Sequence, residues 1–450
     1  MITHTGYITG NNIEVKKDLT VRPVVNNEFG FAPPSFKVFK QNKDKLCVPL
    51  YYGLKKFGKC NHDRRSPPAP LTETLKFEGT LREETHQIEA FNKSVAIGSG
   101  VLSLPCGFGK TTVALAIACK LGYRTMIIVH KEFLANQWRE RIQQFCPGAT
   151  IGLVQQNVMN VECDFVIAML QSLSQKDYNY ECFQSVGTLI VDEAHHICAR
   201  VFSQALFKLC PIHSFGLSAT PIRKDGLTQV LHWFLGETII AVERKEQKQV
   251  ELFVSEYDHP FYRETPPCNR AGKVSLVEMI SYLVNDQKRN EYIIKLVNRI
   301  LKNSTTRQIL VLSDRRLHCE LLCEAIGTDL AGLYMGGMKA EDLDKSSKKR
   351  VIFGTFSQAH EGLDVPTLDT LILATPKSDI KQSVGRIMRE TGKTKENNPK
   401  IWDILDRWSL LVPMFYKRRK VYKEGGFLMK GYEPDKDEEI DKRFKGKCLL

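Results

Sequence analysis

The stretch LPCGFGKTT, Leu104 to Thr112, decides how the chain is read. An apolar run, SGVLSL, leads into it and a helix-forming run, TTVALAIACKL, leads out, the strand-turn-helix setting in which a glycine-rich loop cradles phosphate. Gly107 and Gly109 let the backbone fold tightly, so that successive N–H groups point into one concavity where the dipole of the following helix favours an anion. In that setting Lys110 would pair with the β- and γ-phosphates of ATP, the Thr111 hydroxyl would hold Mg2+, and Thr112 beside it would join the nucleotide-binding residues. The strict form of the pattern begins with a further glycine, and at that place the chain has Leu104. An ordinary strand-turn-helix corner with a surface lysine is the competing reading.

Working outward, short apolar runs alternate with helical stretches from about residue 95 to residue 220: VAIGSGVLSL, TMIIVH, DFVIAM, TLIVD and FGLSAT, with TTVALAIACKLG and EFLANQWRERIQQF among them. Runs that are apolar throughout, rather than alternating, predict parallel strands covered on both faces, hence a doubly wound α/β domain. A second such series follows residue 290, with QILVLSD, RVIFGTF, TLILATP and PKIWDIL as strands and NEYIIKLVNRILKN as a helix. Between the two, a charged segment with paired prolines reads as a linker. The first 75 residues differ: LTVRPVV, SFKVFK and LCVPLYYGL read as short strands broken by turn residues and ending at SPPAP. The expected organisation is a small β-rich module over 1–75, a first α/β domain over 76–250, a linker over 251–275 and a second α/β domain over 276–450.

Composition agrees with that size. A chain of 450 residues exceeds the roughly 250 to 300 at which one core stops growing. No apolar run approaches the ~20 residues that cross a membrane, so no membrane partner is expected. MITHTGYITGNNIEV lacks the basic start and apolar block of a secretion signal, and thirteen cysteines without framework spacing fit free thiols, so an intracellular setting is expected. Cys60 with His62, and Cys319 with Cys323, fall short of the four ligands of a zinc site. A net charge of +13 suits a polyanionic partner, although a merely solvated basic surface gives the same count.

Downstream of the loop, TLIVDEAHH ends an apolar strand in two carboxylates. Asp192 at the strand tip is placed to reach Mg2+, and Glu193 beside it to orient or deprotonate an attacking water.

DEAH, LSATPIRKDG at 217 to 226 and QSVGRIMR at 382 to 389 resemble motifs II, III and VI of superfamily 2 helicases. The phosphate loop of that family often lacks the leading glycine, which removes the objection raised by Leu104. IIVHKEFLANQW resembles its motif Ia region, VIAMLQSLS the segment with a Gln-Ser pair, and GTFSQAHEGLDVPTLDTLILATP motif V, so the resemblance covers roughly residues 77 to 410. Within the superfamily, TPIRKDG, NDQKRNEYI and DILDRWSLLVPMFYKRRKVYKEGGF look like the branch of the TFIIH repair helicase, phage UvsW and the transcript-release helicases of large cytoplasmic DNA viruses.

The resemblance implies two tandem RecA-like domains and an ATP- and Mg2+-dependent helicase or translocase, a nucleic-acid-stimulated ATP hydrolase. It implies that Gln87 reads adenine, and that Gln382, Arg386 and Arg389, at helical spacing, border the ATP, the two arginines neutralising charge on the γ-phosphate. Gly362 and Asp364 sense the nucleotide from the second domain. Ser218, Thr220 and His195 couple hydrolysis to nucleic-acid contact, while His196 is a plain helix residue. Lys131, Gln171, Ser172, Thr355 and Gln358 are implied contacts to the phosphodiester backbone, and polar loop residues that cap helices would look the same. Cys106, inside the loop, reads either as a redox-sensitive thiol or as a small filler. The implied substrate is DNA, with RNA or an RNA–DNA hybrid open, in transcript release or in recombination and repair. The viral branch further implies RNA polymerase or elongation factors as partners and a host cytoplasm or virion location. Alternatives are a duplex translocase that parts no strands, and a catalytically silent nucleic-acid-binding transcription factor.

Overall fold

Along the TMIIV run the side chains divide between two cores, one on each face of a sheet. Met126 and Ile128 pack with Val166, Ala168, Leu189 and Val191, whereas Ile127 and Val129 pack with Ile167, Ile190 and Leu217. Fully burying a side chain of this size contributes about 1.5–3 kcal/mol, which is why these strands read as apolar throughout. The computed structural model in which this is seen describes residues 1–24, 34–105, 107–194, 200–219, 226–242, 250–270, 272–361, 363, 365–388, 397–433 and 438–440. They fall into two units, Met1–Glu243 and Arg244–Leu450.

The sheet of the first unit runs in the order Val158–Met159, Ile151–Gln155, Phe165–Met169, Thr125–Val129, Thr188–Val191, His213–Ser218, Gly100–Ser103, Thr238–Ala241. All neighbours are parallel except the Val158–Met159 edge pair. The strand that enters the glycine-rich loop and the next one in sequence, Thr125–Val129, are therefore separated by Thr188–Val191 and His213–Ser218. The carboxyl ends of these four parallel strands lie along one edge of the sheet, where open α/β sheets bind ligands. VAI of the run VAIGSGVLSL belongs to the preceding helix, Gln87–Ile97, and only Gly100–Ser103 is extended.

The N-terminal residues build a four-stranded sheet, Ile2–Thr3, Gly6–Gly10, Lys45–Val48 and Lys40–Asn42 in that order, and a two-stranded one, Thr20–Val21 with Phe36–Lys37. LCVPLYYGL, expected as a strand, is one only as far as Val48. Pro49 ends it and caps the helix Leu50–Phe57, whose Leu50 and Tyr52 face the module's core with Tyr7, Val15 and Leu46. Nor is SPPAP a free tether. Ala69 N–H donates to the Ser185 carbonyl at 2.9 Å, Leu71 N–H to Gly122 at 2.9 Å, and Arg124 N–H returns to Ala69 at 2.8 Å. Buried Asp164 accepts from both the backbone N–H and the hydroxyl of Thr72 and of Thr150, at 2.6–2.9 Å. Tyr52 meets Trp233 edge-on at 5.6 Å, so the module is packed onto the α/β layers of its own unit.

The sheet of the second unit runs Ala331–Tyr334, Val351–Thr355, Ile309–Ser313, Thr370–Leu373, Lys400–Asp406, Glu251–Tyr257, Leu428–Glu433, Glu438–Ile440. Here the expected linker over 251–275 is corrected: Glu251–Tyr257 is an interior strand, parallel to Lys400–Asp406 and to Leu428–Glu433, with Leu252, Phe253 and Val254 buried. The charged flanks of that segment concealed a short apolar strand. Among the described residues, Arg289 with Asp406 and Arg418 with Asp403 form fully buried ion pairs in this unit. Tyr262 and Tyr422 donate to the same two carboxylates, so each charge is paired and hydrogen-bonded, the condition for burying it.

Candidate active site

The place of the absent glycine is structural. Leu104 prolongs the strand Gly100–Ser103, donates its N–H to the Ser218 carbonyl at 2.9 Å and is fully buried beside Leu102 and Phe108. The turn proper begins after it, closed by Phe108 N–H on the Pro105 carbonyl at 3.2 Å. Gly107 has φ 81° and Gly109 φ 88°, left-handed values that cost an L-residue roughly 1–2 kcal/mol. At Gly109 space is a second constraint, since a Cβ there would lie 2.7 Å from Gln87 Nε2. Gly109 also caps the helix Lys110–Leu121 and, lacking a side chain, leaves the first-turn N–H groups to an incoming anion.

Gln87 is buried behind this loop. Its Oε1 accepts from Arg82 N–H at 2.9 Å and its Nε2 donates to the Phe108 carbonyl at 2.5 Å. In this conformation the glutamine fixes the loop itself.

Asp192 and Glu193 follow the strand Thr188–Val191, two strands from the loop. Asp192 N–H donates to the Ile128 carbonyl at 3.0 Å, and Glu193 N–H donates to Asp192 Oδ1 at 2.9 Å. Glu193 adopts φ 46°, rare for any residue but Gly, Asn or Asp, and its Oε1 lies 3.7 Å from Lys110 Nζ. Loss of hydration, then the Glu193 charge, holds the Asp192 carboxyl above its ordinary value, against the pull of Lys110 and of two hydrogen bonds. Two carboxylates facing one lysine leave an excess of negative charge, which a divalent cation would meet. With the Thr111 hydroxyl in the first turn of the neighbouring helix, the residues fit a nucleotide with its Mg2+. Among the described residues no group of three or more His, Cys, Asp or Glu side chains forms a metal cage of its own.

One participant escaped the sequence reading. Trp138, buried on the helix Glu132–Phe145, donates Nε1–H to Asp192 Oδ2 at 3.0 Å. It stands in EFLANQW, where its place on the apolar side of a helix gave no sign of a polar contact.

The expected polymer contacts of the first unit gather at neighbouring strand ends. Lys131 caps the helix Glu132–Phe145, and burial lowers its ammonium pKa. Gln171 Nε2 donates to the His130 carbonyl at 2.7 Å, and the Ser172 hydroxyl accepts from Gln156 N–H at 2.9 Å. Ser218 ends its strand and is buried. In the second unit, the Thr355 hydroxyl is 3.2 Å from that of Ser357, and Gln358 lies on the helix Phe356–Glu361. Gln382 and buried Arg386 share the helix Lys381–Ile387. Cys106, His195, His196, Thr220, Gly362, Asp364 and Arg389 lie outside the described residues. Among the described residues no helix is long and apolar enough to cross a membrane.

Known proteins bear out the family resemblance. Residues 80–223 match the family model described as type III restriction enzyme, res subunit. The chain is 35% identical over 436 residues to L396 of Acanthamoeba polyphaga mimivirus, provisionally named an ATP-dependent RNA helicase, covering 90% of this chain and 81% of that protein. It is 30% identical over 390 residues to 161L of Invertebrate iridescent virus 6, provisionally named a helicase, covering 80% and 84%. Among solved structures, S. cerevisiae Dbp5 bound to RNA and ADP BeF3 aligns with a TM-score of 0.52 over 79% of this chain and 94% of that one, at 12% identity, a likeness of fold alone.

Proposed function

The chain belongs to the superfamily 2 helicases, ATP-dependent enzymes of two RecA-like domains, and from that premise we propose that it is a Mg2+-dependent nucleic-acid motor that frees transcripts from their DNA template. The observation that carries the chemistry is the meeting of the glycine-rich loop, Lys110 and the Asp192–Glu193 pair at the carboxyl edge of one sheet, with Glu193 Oε1 3.7 Å from Lys110 Nζ.

In this reading Gly107, Gly109, Lys110 and Thr112 hold the phosphates, and Thr111 and Asp192 hold the cation. Magnesium, when bound, supplies charge neutralisation on the phosphates. Glu193 orients the attacking water and accepts its proton, and its strained backbone keeps the carboxylate beside Lys110. Arg386 and Arg389 neutralise the charge that develops on the γ-phosphate, while Gln382, Gly362 and Asp364 read the nucleotide from the second domain. His195, Ser218 and Thr220 pass its state to the polymer, which Lys131, Gln171, Ser172, Thr355 and Gln358 hold by the backbone. The net charge of +13 supports a polyanionic partner, and the RNA helicase name of L396 supports a substrate that contains RNA. DNA is the strand along which the motor runs, and RNA polymerase with its elongation factors is the machinery it meets.

Strand displacement tests this reading. Labelled RNA–DNA hybrid, duplex DNA and forked DNA are offered with ATP and Mg2+, beside stalled elongation complexes. The expected result is ATP-dependent release of RNA from both hybrid and stalled complex. Retention of RNA in every case while ATP is consumed would leave a duplex translocase that parts no strands.

A further inference from the structure

Asp192 is the carboxylate that the proposed function assigns to the cation, and one of its oxygens is held by a side chain from the helix Glu132–Phe145. We propose that Trp138 is a positioning residue for Asp192, and that through it the helix Glu132–Phe145 links the polymer-facing strand ends to the cation carboxylate. The inference rests on the proposed function.

The geometry is specific. Trp138 Nε1–H meets Asp192 Oδ2 at 3.0 Å while Glu193 N–H meets Oδ1 at 2.9 Å, so each carboxylate oxygen receives one internal donor. An ionised carboxylate has about four acceptor positions, so two donors fix its plane and leave positions for a cation and its waters. An indole is donor-only, so its N–H can satisfy the carboxylate but never compete with it for the cation. The ring is 2% exposed and packs with Leu134, Ala135 and Ile142 in the core of the first unit, which prevents it from swinging away. A phenyl ring at this place would fill the core without reaching Asp192 by a hydrogen bond.

The helix that carries Trp138 begins immediately after Lys131, and Gln171 donates to the carbonyl of His130, one residue earlier. From this end Trp138 lies two helical turns away, about 10 Å along the axis. A polymer pressing on Lys131 and Gln171 therefore acts at the start of a helix that also holds the cation carboxylate through Trp138. Nucleic-acid stimulation of hydrolysis acquires a physical route by this contact.

The test compares wild type with Trp138→Phe by calorimetric titration with ADP alone and with ADP and Mg2+, followed by the ratio of ATP turnover with and without polymer. The loop and Lys110 hold the phosphates whether or not the cation is present, so ADP alone should bind both proteins alike. Loss of one hydrogen bond to a charged group should weaken Mg2+-dependent binding about tenfold and cut the stimulation ratio by a comparable factor. A purely structural role would weaken ADP binding equally with and without Mg2+, and that result overturns the proposal, as does a wild-type value of either quantity in the variant. Should the phenylalanine variant fail to fold, benzothienylalanine at position 138 keeps the ring volume and removes the donor, and the same readings apply. Wild-type protein that fails to distinguish ADP with Mg2+ from ADP alone would instead refute the proposed function, and the inference with it.

Discussion

Glu193 combines an unfavourable backbone with a demanding neighbourhood. Its φ of 46° costs roughly 1–3 kcal/mol, and its side chain must share space with Asp192 and Lys110. Such strain persists where the surroundings over-determine a geometry, and here the Glu193 N–H to Asp192 Oδ1 bond and the Lys110 contact do so. Glu193→Gln preserves shape and removes the proposed base. Steady-state turnover should fall by about 10²–10⁴-fold while calorimetric ADP affinity in Mg2+ stays near wild type. Wild-type turnover in this variant would dismiss Glu193 as the base. At this scale the sequence was informative where a residue type has one chemical use, as with Lys110 after two glycines. It was silent on Trp138, whose polar contact lies 54 residues away in the chain and leaves no local periodicity.

Among the elements, the segment from Ser66 to Thr72 is fastened at its end by one side chain, Asp164. Burial alone would raise the Asp164 carboxyl, but hydrogen bonds from Thr150 and Thr72 outweigh it and hold the group below its ordinary value. A depressed folded-state pKa stabilises above the unfolded value, about 3.9, and that contribution is lost as pH falls through the folded value. Asp164→Ala should cost about 3 kcal/mol at neutral pH, measured by urea unfolding, and the gap to wild type should shrink as pH drops below about 4. A gap independent of pH would mean that the cost is packing alone. SPPAP looked like a tether because prolines punctuate both free linkers and extended segments laid on a surface, and only the donors and acceptors across from it distinguish the two. LCVPLYYGL misled differently, since its aromatic and apolar residues suit a strand while Pro49 starts a helix. The strand Glu251–Tyr257 was hidden by its ends, Glu251 and Glu256, which pair with Lys400 and Lys430 and with Arg407 in the folded unit.

For the molecule as a whole, the alternation of apolar runs and helices revealed both α/β units, because parallel strands buried on two faces cannot hide their composition. The order of strands within each sheet is not written in that alternation. It follows from right-handed crossovers and from long-range fits such as Arg289 with Asp406, whose charges read as surface residues until the partner is known. A candidate nucleotide site could be read from the sequence because the parts of such a site recur in a fixed order, whereas the proposed polymer contacts depend on which loop ends become neighbours. The central claim is that binding of a nucleic acid governs ATP hydrolysis at Lys110. Its most direct test is steady-state hydrolysis by wild type and Lys110→Ala, each alone and with single-stranded DNA, duplex DNA, RNA and RNA–DNA hybrid. The account predicts about tenfold or greater stimulation of wild type by at least one polymer, and background turnover of the variant with all of them. Hydrolysis by Lys110→Ala at the wild-type rate, or a wild type that binds nucleic acid tightly without hydrolysing ATP in any mixture, would contradict it.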